Sequence, residues 1–305
     1  MNTLPIHRYQ FNCQAQSALA LNDYSGSMLR GAFGHALREL SCVTKMSDCK
    51  QCMLYRQCSY PAIFEPPVAI KSTFQDLSRI PSPYIIEPPS MGEQRLEKGE
   101  QFSFHIVLIG EQANSLLAQI IAAFETALQR GLGRQQGIAQ LNDVSREQQG
   151  EQVIYRRAQD KLTPDSLLNP VSSETDKINI QLLSPLRIQQ RKRLLVNNMQ
   201  GKDFLGALVR RYYLLLEFYS DDYQAPDFSS LRQQAEQVEA HPQFTIYRYA
   251  RYSSRQKHKM KLDTVLGDIQ LKGNLQAFFP LLHLGQWLHI GSNTSFGLGQ
   301  YLLNG

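Results

Sequence analysis

The chain lacks a long apolar run. No stretch reaches the roughly 18 residues that a membrane-spanning helix needs, so none is expected. The opening residues, Met1 to Cys13 (MNTLPIHRYQFNC), lack the basic start and apolar centre of a secretory signal, which points to the cytosol. A strong charge excess is also missing. Lys+Arg number 32 and Asp+Glu 27, a net charge of +5 over 305 residues, too small on its own to mark a polyanion binder. Several chemistries lack their signatures. No Gly-Lys-Ser/Thr follows the glycines, and no full dinucleotide fingerprint lies in a strand–turn–helix setting. There is no GxSxG elbow, no HExxH helix and no tight Asp/Glu cluster for two-metal phosphoryl transfer. A nuclease built on this chain would therefore be expected to work without metal.

What is present is a folded composition with local concentrations. Hydrophobic residues make up 42%, which suits a globular protein, and the length allows one large domain or two ordinary ones. Residues 1–161 hold 16 Lys+Arg and 15 Asp+Glu, a net of +1; the remainder hold 16 and 12, a net of +4. Between Thr245 and Lys261 lie Arg248, Arg251, Arg255, Lys257, Lys259 and Lys261 with no acid among them. A second basic knot is Arg191-Lys192-Arg193. Local basic stripes in a near-neutral chain point to a defined polyanion site.

Four of the five cysteines, Cys42, Cys49, Cys52 and Cys58, fall within 17 residues at C-x6-C-x2-C-x5-C spacing, while Cys13 stands apart. In a cytosolic chain such a cluster reads as a metal site rather than two disulfides. Structural zinc, an iron–sulfur cluster and unligated thiols are the readings, with zinc favoured. Four sulfur ligands leave no open position for catalysis, so no cofactor for the chemistry is expected there.

Apolar periodicity divides the chain into two similar halves. Ile6–Asn12 reads as a strand, and Met28, Leu29, Ala32, Phe33, Ala36, Leu37 and Leu40 as one face of a helix over 27–40, capped by Ser25 or Ser27. Tyr60–Ser90 is proline-rich and reads as irregular. Phe102–Ile109 is β-rich; Leu117 to Leu128 mark a helix ending near Gly131; a strand follows Gly131-Leu132-Gly133. Residues 161–176 read as a linker. Then come a strand at 177–186, a helix around Phe204–Tyr219, strands at 244–252 and 264–271, a helix at 278–289 and a strand at 295–303. The expected fold is α+β: tandem ferredoxin-like β-α-β-β-α-β units, 1–160 and 177–305, with a Cys- and Pro-rich insertion over 42–90 in the first.

Three features carry functional weight. Tyr247, Tyr249 and Tyr252 interleave with the basic stripe and would supply stacking faces beside phosphate-binding charge, a combination suited to RNA. Glycines 291, 297 and 299 would let backbone N–H groups approach phosphate. In the first helix His35 falls on the flank of the apolar face, and Gly31 and Gly34 hint that another backbone or a ligand approaches the opposite side.

Three stretches resemble the CRISPR-associated endoribonucleases that process precursor guide RNA, within the RAMP superfamily. They are SGSMLRGAFGHALREL with the following CxxC loop and YPAIFEPP, Ser25–Pro67; RYSSRQKHKMKLDTVLGDI, Arg251–Ile269; and FFPLLHLGQWLHIGSNTSFGLGQYLL, Phe278–Leu303. The resemblance implies tandem ferredoxin-like domains and metal-independent cleavage of CRISPR repeat RNA. The 2′-OH would attack the adjacent phosphate, leaving a 2′,3′-cyclic phosphate. It implies His35 as an acid–base group, with Tyr24 and Lys45 auxiliary and His258 an alternative. Arg248, Arg251, Tyr252, Arg255, Lys257 and Lys259, the knot Arg191–Arg193, and the loop residues Gly291, Ser292, Gly297 and Gly299 would bind RNA. Partners implied are repeat RNA and other CRISPR-associated proteins, with no membrane, the protein being a monomer or homodimer. The alternative is a non-catalytic RAMP subunit that binds guide RNA.

Overall fold

The computed structural model describes residues 4–67, 80–147, 152–156, 176–253 and 258–304, without the side chains of 152–156, 250–253 and 258–260. The chain divides into two compact units, one comprising 3–167 with 218–220 and the other 168–217 and 221–305 with the first two residues. The expected linker lies outside the described residues except for Asp176. Among the described residues no helix is long and apolar enough to cross a membrane.

In the first unit the elements are β1 (Ile6–Ala15), β2 (Leu19–Leu21), α1 (Gly26–Ser41), α2 (Ser59–Phe64), β3 (Tyr84–Glu87), β4 (Gln94–Leu96), β5 (Gln101–Ile109), α3 (Glu111–Ser115), α4 (Leu117–Arg130), β6 (Ala139–Arg146) and β7 (Gln152–Arg156). The main sheet has the order β3-β5-β1-β6-β7, all antiparallel. Alternation in β1 sends Tyr9, Phe11 and Cys13 to the buried face and leaves Gln10, Asn12 and Gln14 only partly covered. The buried face is closed by α1 and α4. Phe33 of α1 stacks on Phe124 of α4 at 4.6 Å and 8°, and Phe11 on Phe104 at 5.1 Å and 20°. Stacked rings of this kind contribute beyond their buried area.

The second unit contains β8 (Lys177–Leu182), β9 (Gln189–Gln190), β10 (Arg193–Leu194), α5 (Gly201–Tyr219), α6 (Phe228–Glu236), β11 (Glu239–Ser253), β12 (His258–Lys272), α7 (Phe279–Leu288) and β13 (Tyr301–Asn304). Its sheet order is β11-β12-β8-β13, again antiparallel. Numbered within each unit, both sheets place the four strands of a β-α-β-β-α-β run in the order 2-3-1-4. That is consistent with the expected ferredoxin-like unit. Phe204, Phe278 and Tyr301 are enclosed in this core, and the Tyr301 hydroxyl donates to the Leu282 carbonyl at 2.7 Å.

The structure departs from the sequence pattern in three places. The proline-rich stretch contains α2, with Pro61 in its first turn where the missing N–H costs nothing, and the short strand β3. The predicted strand at 295–303 is a 3-10 turn, Thr294–Phe296, followed only later by β13. Gly297 and Gly299 have φ of 86° and 78°, which interrupts any extended run. Helix α6 was not anticipated; Asp227 caps it, accepting from the Ser229 and Ser230 N–H groups at 3.0 and 3.1 Å.

Candidate functional site

Helix α1 presents its polar side through a dense set of neighbours. Its apolar face, Leu29, Phe33, Ala36 and Leu37, is buried, and His35 stands exposed on the flank. Among the described residues no hydrogen bond or ion pair holds the His35 imidazole, which leaves it open to a ligand. Gly34 is explained by packing: a Cβ there would meet the Phe64 ring at 2.7 Å. Gly31 faces open space. Arg30 stacks over that same ring at 4.8 Å and donates to the Tyr84 hydroxyl at 3.3 Å. The approach inferred from the glycines is therefore that of the Phe64 ring, on α2, at Gly34. Tyr24 is buried at 5% exposure, beneath the start of the helix. Lys45 is exposed in the loop beyond α1, with a left-handed φ of 53°.

The glycine-rich loop of the second unit is held by its own chain. His289, fully buried and at φ 55°, places Nδ1 3.2 Å from the Leu298 carbonyl. Ser184 Oγ donates to the Gly297 carbonyl at 2.7 Å and accepts from the Gln300 N–H at 2.8 Å. A Cβ at Gly299 would lie 1.9 Å from the Ile290 carbonyl, and one at Gly291 2.6 Å from that of Arg187. The reading that these glycines aim N–H groups at phosphate needs correction. The N–H groups of Ser292, Gly297 and Gly299 already donate to Arg187, Thr294 and Pro185. Gly297 and Gly299 are buried; Gly291 and Ser292 are the half-exposed part of the set.

The basic residues lie on two hairpins. Strands β9 and β10 are joined by Arg191 and Lys192, both at positive φ (48° and 66°), as a tight hairpin turn demands. Arg191, Lys192 and Arg193 are all exposed at its tip. The longer hairpin, β11–β12, pairs without interruption from Glu239↔Lys272 to Ser253↔His258. Register turns the acid just beyond the stripe back onto it: Arg248 lies opposite Asp263 and pairs with it at 3.0 Å. Both side chains are more than half exposed, so the pair is worth only about 0–1 kcal/mol. The aromatic reading also changes. Tyr249 is buried and so offers no free face, while Tyr247 is half-buried, its ring near-parallel to that of Tyr249 at 6.3 Å. Arg251 and Tyr252 lie on β11, and His258 and Lys259 on β12, Tyr252 opposite Lys259; their side chains are outside the described set, as are Arg255 and Lys257 altogether.

Arg187 is a residue the sequence pattern missed. It is half-buried just before the β9–β10 hairpin. Its carbonyl anchors Ser292, and its enclosed Nε has no hydrogen-bond partner among the described residues. A guanidinium donor left unpaired beneath the glycine loop is suited to an anion. Between Leu186 and Ile188 it carried no signal beyond strand alternation.

The four clustered cysteines line one open cavity of about 330 Å³ in the first unit. Burial pushes the Cys49 thiol up, Arg38 opposes this, and charge on Glu65, Cys42 and Cys58 adds to the upward push. Cys13 is buried in β1, away from this group, and burial raises its thiol pKa far above the ordinary range. Thus His35, Tyr24, Lys45 and the four cysteines belong to the first unit, and both basic hairpins and the glycine loop to the second.

Comparison with known proteins covers both units. A family model described as CRISPR-associated endoribonuclease Cas6 matches residues 180–301, and one described as an N-terminal domain matches 4–167. Among solved structures, a Cas6 product complex is 14% identical over 98% of this chain and 99% of that one, with a TM-score of 0.61. A Cas6 from Thermus thermophilus is 12% identical over 100% of both chains, with a TM-score of 0.56. A partial Cas6-RT-Cas1–Cas2 complex is 13% identical over 99% of this chain and 46% of the other, with a TM-score of 0.58. At these identities the structural likeness speaks for the fold. No curated protein sequence matches the chain.

Proposed function

We propose that the chain is a member of the CRISPR-associated endoribonuclease Cas6 family, whose model matches residues 180–301, and that it cuts CRISPR repeat RNA in precursor transcripts without a catalytic metal. The family match over the second unit carries this reading. The exposed, unpaired imidazole of His35 on α1 supports it. The reaction needs a base to take the proton of the ribose 2′-OH, an acid for the departing 5′-oxygen, and positive charge for the phosphorane. The 2′-oxygen forms a bond to phosphorus as the 5′-oxygen bond breaks, giving a 2′,3′-cyclic phosphate and a 5′-hydroxyl. His35 is assigned an acid–base role. Tyr24, buried at the start of α1, is assigned an auxiliary role from there; Lys45 is a second auxiliary group, and His258 is the alternative acid–base group.

Binding falls to the cations. Arg191, Lys192 and Arg193 present three uncovered charges on a tight turn, and Arg248, Arg251, Tyr252 and Lys259 on the long hairpin, with Arg255 and Lys257 of the same sequence stretch, are assigned to the same task. Gly291 and Ser292, with Arg187 beneath them, form the anion-facing edge of the glycine loop. Other CRISPR-associated proteins are proposed partners, in line with the Cas6-RT-Cas1–Cas2 relative, and the protein is proposed to act as a monomer or homodimer. Incubation of the pure protein with a panel of end-labelled repeat RNAs tests the reading. A single discrete cut in one repeat class is expected; retention of RNA without any cleavage would instead identify a non-catalytic RNA-binding subunit.

A further inference from the structure

From Ser41 to Tyr60 the first unit has no buried residue. The segment nevertheless follows a defined path. Cys52 N–H donates to the Cys49 carbonyl, Tyr55 to Cys52, and Cys58 to Leu54, at 2.9–3.0 Å. Arg38 of α1 donates to the carbonyls of Met46 and Ser47 at 2.6 and 2.9 Å. Ordering a backbone costs about 1–2 kcal/mol per residue, and this stretch has no apolar interior of its own to offset that. A cross-link would.

Four thiols border the segment. Cys42 ends α1, Cys49 and Cys52 bracket a single 3-10 turn, Cys58 caps α2, and all four line the same cavity. Among the described residues no three of the sulfurs as placed converge on one ion. Cys52 Sγ rests 3.4 Å from Thr44 Oγ1, and Cys58 Sγ 3.9 Å from the Ser41 carbonyl. These are weak contacts between groups that are exposed or half-exposed, and residues 43–48, all on the surface, separate Cys42 from Cys49. No core side chain lies in the loop that would have to close for the sulfurs to meet.

We infer that Cys42, Cys49, Cys52 and Cys58 bind one structural Zn²⁺ as a tetrahedral S4 centre that ties α1 to α2. Zinc takes four thiolates in a tetrahedral arrangement, the usual form of a structural site. Four thiols lose four protons as the ion enters, leaving a centre of charge −2. The Arg38 guanidinium, already bound to the loop carbonyls, offsets part of it. Both tied helices carry core residues, Phe33 on α1 and Ile63 and Phe64 on α2, so the cross-link would fix a loop to a packed base. Four thiolates would close the centre to substrate, and its test reads metal and thiols rather than cleavage, so the inference stands or falls without the proposed RNA chemistry.

Metal analysis of the full-length protein, purified under reductant and without chelator, tests this. One zinc per chain is expected, released in step with mercurial titration of four thiols. Replacement by Co²⁺ should give the absorption of tetrahedral thiolate-bound cobalt. Cys49→Ser with Cys52→Ser should abolish both signals, while Cys13→Ala should keep them. Should the double variant fail to fold, the zinc and thiol counts of the unaltered protein decide alone. Stoichiometric iron, a disulfide between these cysteines, or four freely reactive thiols in folded, zinc-free protein would each overturn the inference.

Discussion

The two units share a strand order but enlarge different connections. In the first, the chain between the first helix and the second strand grows into a segment with four thiols and a proline-rich run, while its paired strand β3 shrinks to four residues. In the second, the strands that follow the first helix lengthen to 15 residues each and carry the basic stripe. One scaffold thus supports two kinds of elaboration, a thiol-lined loop beside the helix with His35 and a charged hairpin. The difference teaches that in a repeated β-α-β-β-α-β design the chemistry follows which connection is extended, while the sheet stays constant.

The sharpest break between the units should come from chemistry. His35→Ala should lower single-turnover cleavage by at least about 10²-fold while RNA affinity, measured by filter binding, stays unchanged; wild-type rates would remove His35 from the reaction. A core substitution should separate the units by stability. Phe33→Ala deletes a ring stacked on Phe124 and should cost about 3–5 kcal/mol in denaturant unfolding, confined to the first unit's transition. Binding should respond on the other side. Arg191→Ala with Lys192→Ala should reduce the slope of log affinity against log salt by roughly one to two, as expected for two lost phosphate contacts, with little change in cleavage at saturating protein. The smallest effect should come from Asp263→Asn. Freeing Arg248 from its pair should tighten RNA binding by no more than about fivefold, and weaker binding would show that Asp263 orders the hairpin instead.

Much of the architecture was legible because periodicity reports burial. Helices α1 and α4 show their apolar faces at three- and four-residue spacing, and Gly131 at φ 99° ends α4 as a glycine C-cap should. Strand β3 was not legible. Its four residues, Tyr84–Glu87, are all buried between Pro83 and Pro88, so it shows no alternation. The candidate site was legible as residue types but less so as surfaces. Linear order showed six cations without an acid, yet strand pairing sets Asp263 against Arg248. The glycines were visible, but the demand they answer comes from the carbonyls of Arg187 and Ile290, far away or across the loop. Arg187 itself was hidden, since an unpaired donor is a property of packing and not of composition.

The most direct test of the central claim is the chemical identity of the product ends formed from repeat RNA by the unaltered protein during a short incubation in excess EDTA. Mass analysis should find a 2′,3′-cyclic phosphate on the upstream fragment and a 5′-hydroxyl on the downstream one. A 3′-hydroxyl with a 5′-phosphate, formed only when Mg²⁺ is restored, would contradict it.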